Sequence, residues 1–164
     1  MAGSDPDLPE AMGAALADTF MFYLEAHIFH WNVTGPRFSQ LHGLFGEIYE
    51  DAFEAVDGIA ERIRALNVLT PMTAKALMEP AKVLVDASLT DADEMVARLL
   101  ADNEIVATCL KEAQSRAEAV GQVGAANFLQ DRIDRHAKWA WVLRSTKEAP
   151  SSRADRRYAD SKGA

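Results

Sequence analysis

From Phe38 to Asn67 apolar side chains recur every three or four residues, the period of an α-helix with one buried face. With Leu41 set at 0° and about 100° added per residue, Leu41, Phe45, Ile48, Ala52, Ile59, Ile63 and Leu66 fall between about −20° and 40°. Helical spacing also runs from Pro9 to Val33, from just after Thr90 to Val120, and from Ala125 to Lys147. No segment sustains the two-residue alternation of a strand, so the chain is expected to be all-α, with four long helices. The first stops at Thr34-Gly35-Pro36, where glycine and proline break the pattern. The third opens on Thr90-Asp91-Ala92-Asp93, read as a capping box with Thr90 at the cap and Asp93 at N3. Between the second and third helices lies a stretch bracketed by Pro71 and Pro80, long for a bundle connection and roomy enough for a short extra helix.

Composition adds bounds rather than detail. The 164 residues suit a single domain, expected over 1–149 and followed by a flexible basic tail over 150–164. The N-terminal decapeptide is acidic and polar, so no signal peptide is expected, and no apolar run approaches membrane-spanning length. The single Cys109 has no internal disulfide partner, which fits a reducing compartment and makes the cytoplasm the expected location. The net charge of −8 is uneven: residues 144–164 carry +3 and the remainder −11. A polyanion would therefore meet this chain only through its C-terminal end.

The candidate chemistry lies off the core face of the second helix. By the same projection His42 falls at about 100°, Asp57 at about 160°, Glu50 at about 180° and Glu61 at about 200°. His42 and Glu61 are separated by roughly 28 Å of helix, too far to share an ion within one chain. Two copies of the helix packed antiparallel about a two-fold axis remove the difficulty, pairing residue n with about residue 103 − n and facing His42 against the partner's Glu61. Imidazole and carboxylate donors with open positions suit iron or another first-row metal, and His30 at the end of the first helix would supply a second imidazole. The same spacing also fits a solvated acidic face and histidines that only pack, and His27 is read in that structural sense.

The segments HWNVTGPRFSQLH (30–42) and DGIAERIRAL (57–66), closed by DRIDRHAKWAWVLR (131–144), resemble the signature of the Dps family, the DNA-binding proteins from starved cells or mini-ferritins. The resemblance covers about residues 10–148. It implies a ferritin-like four-helix bundle with a short helix in the connection between helices 2 and 3, a topology that the long crossover also suits. It further implies a hollow homododecamer whose ferroxidase sites span two-fold interfaces, with His30 and His42 from one subunit and Asp57 and Glu61 from the other. Family members oxidise Fe(II), typically with hydrogen peroxide, and store the ferric product, which protects against oxidative damage. Trp31 and Trp141 match aromatic positions near that site, where the roles are radical quenching or simple packing. Glu47, Glu50, Asp51 and Glu54 are candidates for mineral nucleation on the inner surface, and Asp131 and Asp134 are the nearest candidates for pore lining. Arg153, Arg156, Arg157 and Lys162 are candidates for DNA contact, and bound DNA would make the protein nucleoid-associated.

One position departs from the pattern. Four residues after its second histidine the family usually carries Asp or Glu, whereas this chain has Gly46. The expectation is weakened or altered iron affinity, with water or Glu47 as substitutes for the missing carboxylate. A structural or DNA-associated shell with an attenuated oxidase site is therefore the alternative, and a plain helical interaction module is a third.

Overall fold

Each long periodic segment becomes a helix in the computed structural model, which describes residues 7–85 and 88–147. They are α1 (Asp7–Asn32), α2 (Phe38–Ala65), α4 (Ala92–Ala119) and α5 (Val123–Thr146), with the short α3 (Ala74–Met78) in the crossover. The bundle is ferritin-like and all-helical among the described residues. Helices α1 and α2 form one hairpin, α4 and α5 the other, and the hairpins meet mainly through α1 and α4. Among the described residues no helix is long and apolar enough to cross a membrane.

The core follows the helical pattern. Leu41, Phe45, Ile48, Ala52, Ile59 and Ile63 of α2 are all buried, against Phe22 and Phe29 of α1, Leu99 and Leu110 of α4 and Leu129 and Leu143 of α5. The turns take the residues their geometry requires. Gly35 turns α1 into α2 at φ +99°, and Gly121 closes α4 at φ +70° while Gln122 N–H donates to Ala117 O at 2.8 Å, a Schellman arrangement. Arg37 ties the first hairpin to the second, donating to Thr146 O at 2.8 Å and pairing with Asp93.

At the start of α4 the cap differs from the sequence expectation. Asp91, not Thr90, is the N-cap, with Oδ1 accepting from Asp93 N–H at 2.9 Å and Glu94 N–H at 3.0 Å. Both residues are good caps in isolation; the helix begins one residue later, at Ala92, so the role passes to Asp91. Thr73 caps α3 through Ala76 N–H at 3.1 Å, which is how a five-residue helix persists in the crossover.

Buried polar groups hold the crossover in place. Asp18 of α1 is fully buried; its Oδ1 accepts from the backbone N–H of Lys82 (2.6 Å) and Val83 (2.9 Å), its Oδ2 from the Cys109 thiol (3.0 Å). Burial first, and then the Asp18 hydrogen bond and charge, push the Cys109 thiol up to about 11, against a smaller opposing effect of Lys82. Alkylation of Cys109 at pH ~8 is therefore expected to run about a hundredfold slower in the native protein than in urea. Equal rates measured by mass spectrometry would contradict this arrangement. Between α4 and α5, His136 exchanges two bonds with Asn103: Nδ1–H to Oδ1 (2.8 Å) and Nδ2–H to the His136 carbonyl (2.9 Å). Burial, and secondarily the Arg132 charge, lower its pKa to about 3, so it is a neutral core histidine.

Helices α2 and α5 meet at two points. A Cβ at Gly58 would lie 2.7 Å from Phe128 Cζ, so only glycine admits that ring, over which Arg62 stacks at 3.6 Å. About two turns away on α2, Asp51 takes both terminal guanidinium nitrogens of Arg132 (3.0 and 2.7 Å) and the Trp139 indole N–H (2.9 Å), with Arg135 at 3.3 Å.

Candidate metal centre

The turn at Val33–Arg37 folds the end of α1 back on the start of α2 and brings His30 against His42. Their rings stack with centroids 3.7 Å apart at 22°. Each Nδ1 also meets the other residue's backbone carbonyl, His30 Nδ1 to His42 O at 2.7 Å and His42 Nδ1 to His30 O at 2.8 Å. A carbonyl only accepts, so both Nδ1 atoms carry the hydrogen. In the neutral imidazole this tautomer leaves the lone pair on Nε2, the form that binds a metal, with the backbone fixing ring and tautomer. His27 stands beside this pair without joining it. Its ring stacks on Tyr49 at 3.9 Å and meets Trp31 at 4.1 Å, and its pKa is lowered by burial and by His30.

The carboxylates are elsewhere. Asp57 and Glu61 are exposed one turn apart on the same uninterrupted helix, roughly 28 Å from His42 in the case of Glu61. Among the described residues no three His, Cys, Asp or Glu side chains gather within one chain. Between the two donor pairs, Phe53 is 59% exposed at about 120° on the projection. Trp31, its ring centroid 4.1 Å from that of His27, is exposed at the end of α1, and Trp141 is exposed on α5.

Gly46 is buried beneath His30: a Cβ there would sit 3.4 Å from both Cε1 and Nδ1 of that ring, at van der Waals contact. Glu47, Glu50 and Glu54 are exposed on α2, whereas Asp51 is engaged through both oxygens by Arg132, Arg135 and Trp139. Burial alone would raise the Asp51 pKa; hydrogen bonds from Arg132 and Trp139 and the charges of Arg132 and Arg135 outweigh it and hold it below its ordinary value. Asp131 and Asp134 are exposed on α5, and Asp134 accepts from Gln130 at 3.0 Å. Arg153, Arg156, Arg157 and Lys162, with the boundary expected at residue 150, lie outside the described residues.

The reciprocal histidine bonds and the Asp51 strut were not expected from the sequence. The only available signal for the first was the twelve-residue spacing of two histidines across a Gly-Pro turn. For the second there was none, because Asp51 and its partners are 81 and 88 residues apart.

A family model described as the ferritin-like domain matches residues 10–149. A DNA protection during starvation protein of Bacillus anthracis is 30% identical over 136 residues, covering 83% of this chain and 93% of its own. The chain belongs to the Dps family. The crystal structure of Dps from Staphylococcus aureus superposes with a TM-score of 0.84 at 28% identity, over 90% of this chain and 99% of that one. A Dps protein from Vibrio cholerae, described as a member of a broad superfamily of ferritin-like diiron-carboxylate proteins, gives 0.81 at 26%, over 85% and 87%. Imidazole nitrogen and carboxylate oxygen are donor types that suit Fe(II), and within one chain the two pairs stand apart among the described residues.

Proposed function

We propose that this Dps protein oxidises Fe(II), with hydrogen peroxide as oxidant, at sites shared between two chains, and stores the ferric product in a hollow dodecamer. The observation that carries the reading is the paired orientation of His30 and His42, whose Nε2 atoms are left free by bonds that occupy both Nδ1 atoms. Asp57 and Glu61 are the complementary donors, brought from a second copy by an antiparallel contact of α2. Exposed Phe53 lies on the helix face that this contact would bury. Iron is substrate throughout. The two histidines and two carboxylates bind and orient it, and two Fe(II) ions deliver the two electrons that reduce one peroxide to water, so no hydroxyl radical is released. Trp31, in contact with His27, is assigned to quench stray oxidising equivalents near the site, with Trp141 in the same role from α5. Glu47, Glu50 and Glu54 are assigned to mineral nucleation; Asp51, already neutralised by two guanidinium groups, is left out.

The test is Fe(II) oxidation by peroxide in metal-free protein under anaerobic conditions, followed by ferric absorbance. Wild type is expected to exceed buffer clearly and Glu61→Ala to lose at least about tenfold, the scale of a lost metal-coupled interaction. A wild type indistinguishable from buffer would favour the second reading, a shell whose oxidase site has decayed at Gly46. In that reading the tail residues Arg153, Arg156, Arg157 and Lys162 hold DNA in the cytoplasm, and a gel shift that weakens with salt and with removal of residues 150–164 supports it. Size exclusion separates both from a monomeric helical module, since the assembly has twelve times the mass of the 18.0 kDa chain.

A further inference from the structure

We infer that the groove between α4 and α5 binds a free acidic α-amino acid, aspartate or glutamate, at a site separate from the shared metal centre. The two helices bound a cavity of about 370 Å³, on the other hairpin from His30 and His42. That volume lies in the range of small-molecule pockets. Asn103 and His136, each 1% exposed, form its floor, while Glu104, Lys111 and Arg144 are exposed along its rim.

The floor presents one unanswered acceptor. Asn103 Nδ2–H donates to the His136 carbonyl, which turns Asn103 Oδ1 toward the imidazole and fixes the hydrogen on Nδ1. Nε2 therefore carries a lone pair, and it is buried with no hydrogen-bond partner among the described residues. A buried acceptor of this kind calls for an N–H or O–H donor. The ring is neutral, so it does not repel a donor that is positively charged. Arg132, whose charge also reaches the ring, is held by Asp51 on the α2 side.

The rim places the charges in order. Glu104 follows Asn103 and stands level with His136, because Asn103 and His136 bond each other across the groove. Lys111 and Arg144 each lie eight residues further along their own helices, about 12 Å from that level. The two helices form an antiparallel hairpin, so the cations flank the level from opposite ends. Each leans back toward it, since helical side chains tilt toward the N-terminus. Glu104, Lys111 and Arg144 form no ion pair among the described residues. The groove thus reads cation, then carboxylate with a lone pair, then cation. Its complement is carboxylate, ammonium, carboxylate, the order of charges in an acidic α-amino acid. The ammonium donates to Glu104 and His136 Nε2 together, and the two carboxylates meet Lys111 and Arg144.

Isothermal titration calorimetry of the assembled, full-length protein with L-glutamate and L-aspartate tests this. One saturable site per chain is expected. Glutarate keeps both carboxylates and lacks the ammonium; it should bind at least about tenfold more weakly than glutamate, the scale of a lost charged hydrogen bond. N-trimethylglutamate keeps the positive charge but has no N–H to donate, and should be weakened as much. Lys111→Ala, Arg144→Ala and Glu104→Gln, all at exposed positions, should each weaken glutamate by about threefold or more. No saturable heat with either amino acid overturns the inference. Glutarate or N-trimethylglutamate binding as tightly as glutamate overturns it too, because the ammonium would then play no part. Glutamate affinity unchanged in all three variants puts the ligand elsewhere and has the same consequence.

Discussion

Two inactive variants, assembled together, are expected to restore about a quarter of the wild-type iron oxidation. The pair is His42→Ala and Glu61→Ala, co-expressed in equal amounts with different tags so that mixed shells can be purified. In the proposed arrangement each alone disables every site, because a site would draw its imidazoles from one chain and its carboxylates from the other. In a mixed two-fold pair the defects segregate: one site receives both substitutions, while the other receives the intact histidines of the Glu61→Ala chain and the intact carboxylates of the His42→Ala chain. Random assembly makes half of the pairs mixed, and half of their sites intact, hence about a quarter. Initial rates per chain, compared with each variant alone, read this directly. No recovery in verified mixed shells would mean that the donors are not shared across a two-fold contact.

The second large effect is structural. Asp51→Ala is expected to destabilise the chain by about 3 kcal/mol, because it leaves Arg132 and the Trp139 indole N–H without their acceptor in a mostly buried setting. The Asp51 and Arg132 side chains are only 15% and 11% exposed, which is why this pair is worth more than a surface ion pair. Asp51→Asn keeps an acceptor for Trp139 but loses the charge, and should fall between the two. Urea unfolding at fixed protein concentration measures the difference, since subunit assembly adds to apparent stability. The sign with pH is determined by the depressed Asp51 pKa. The carboxylate contributes its stability in full above the ordinary Asp value of about 3.9 and loses it as pH falls through the lower folded value. Wild type should therefore lose its advantage over Asp51→Ala only in strong acid; an advantage lost already near neutrality would contradict the network.

These two expectations also show how far the sequence could be read. The core face of α2 was legible because burial and helical period are local, and the short α3 was foreshadowed by two prolines around a long connection. The cap of α4 was misplaced by one residue because Thr90 and Asp91 are both competent, and only the final helix start decides between them. At the site, spacing alone separated His42 from Glu61 and called for two chains. What spacing could not give is the tautomer of either histidine, which is set by carbonyls brought close by the α1–α2 turn. The Asp18 contact with Cys109 was hidden for the same reason, its partners being 91 residues apart. Long-range polar pairing leaves no period in a sequence.

The crossed bonds of His30 and His42 make the two residues a single unit of substitution. Changing either one removes the ring on which the other stacks and strips one backbone carbonyl of the imidazole proton it accepts. The surviving histidine keeps its own acceptor but is held by one support where it had two. A designer wishing to move this pair onto another helical hairpin must therefore transplant the turn together with both rings, for the hairpin's closure and the aim of its donors are the same set of bonds.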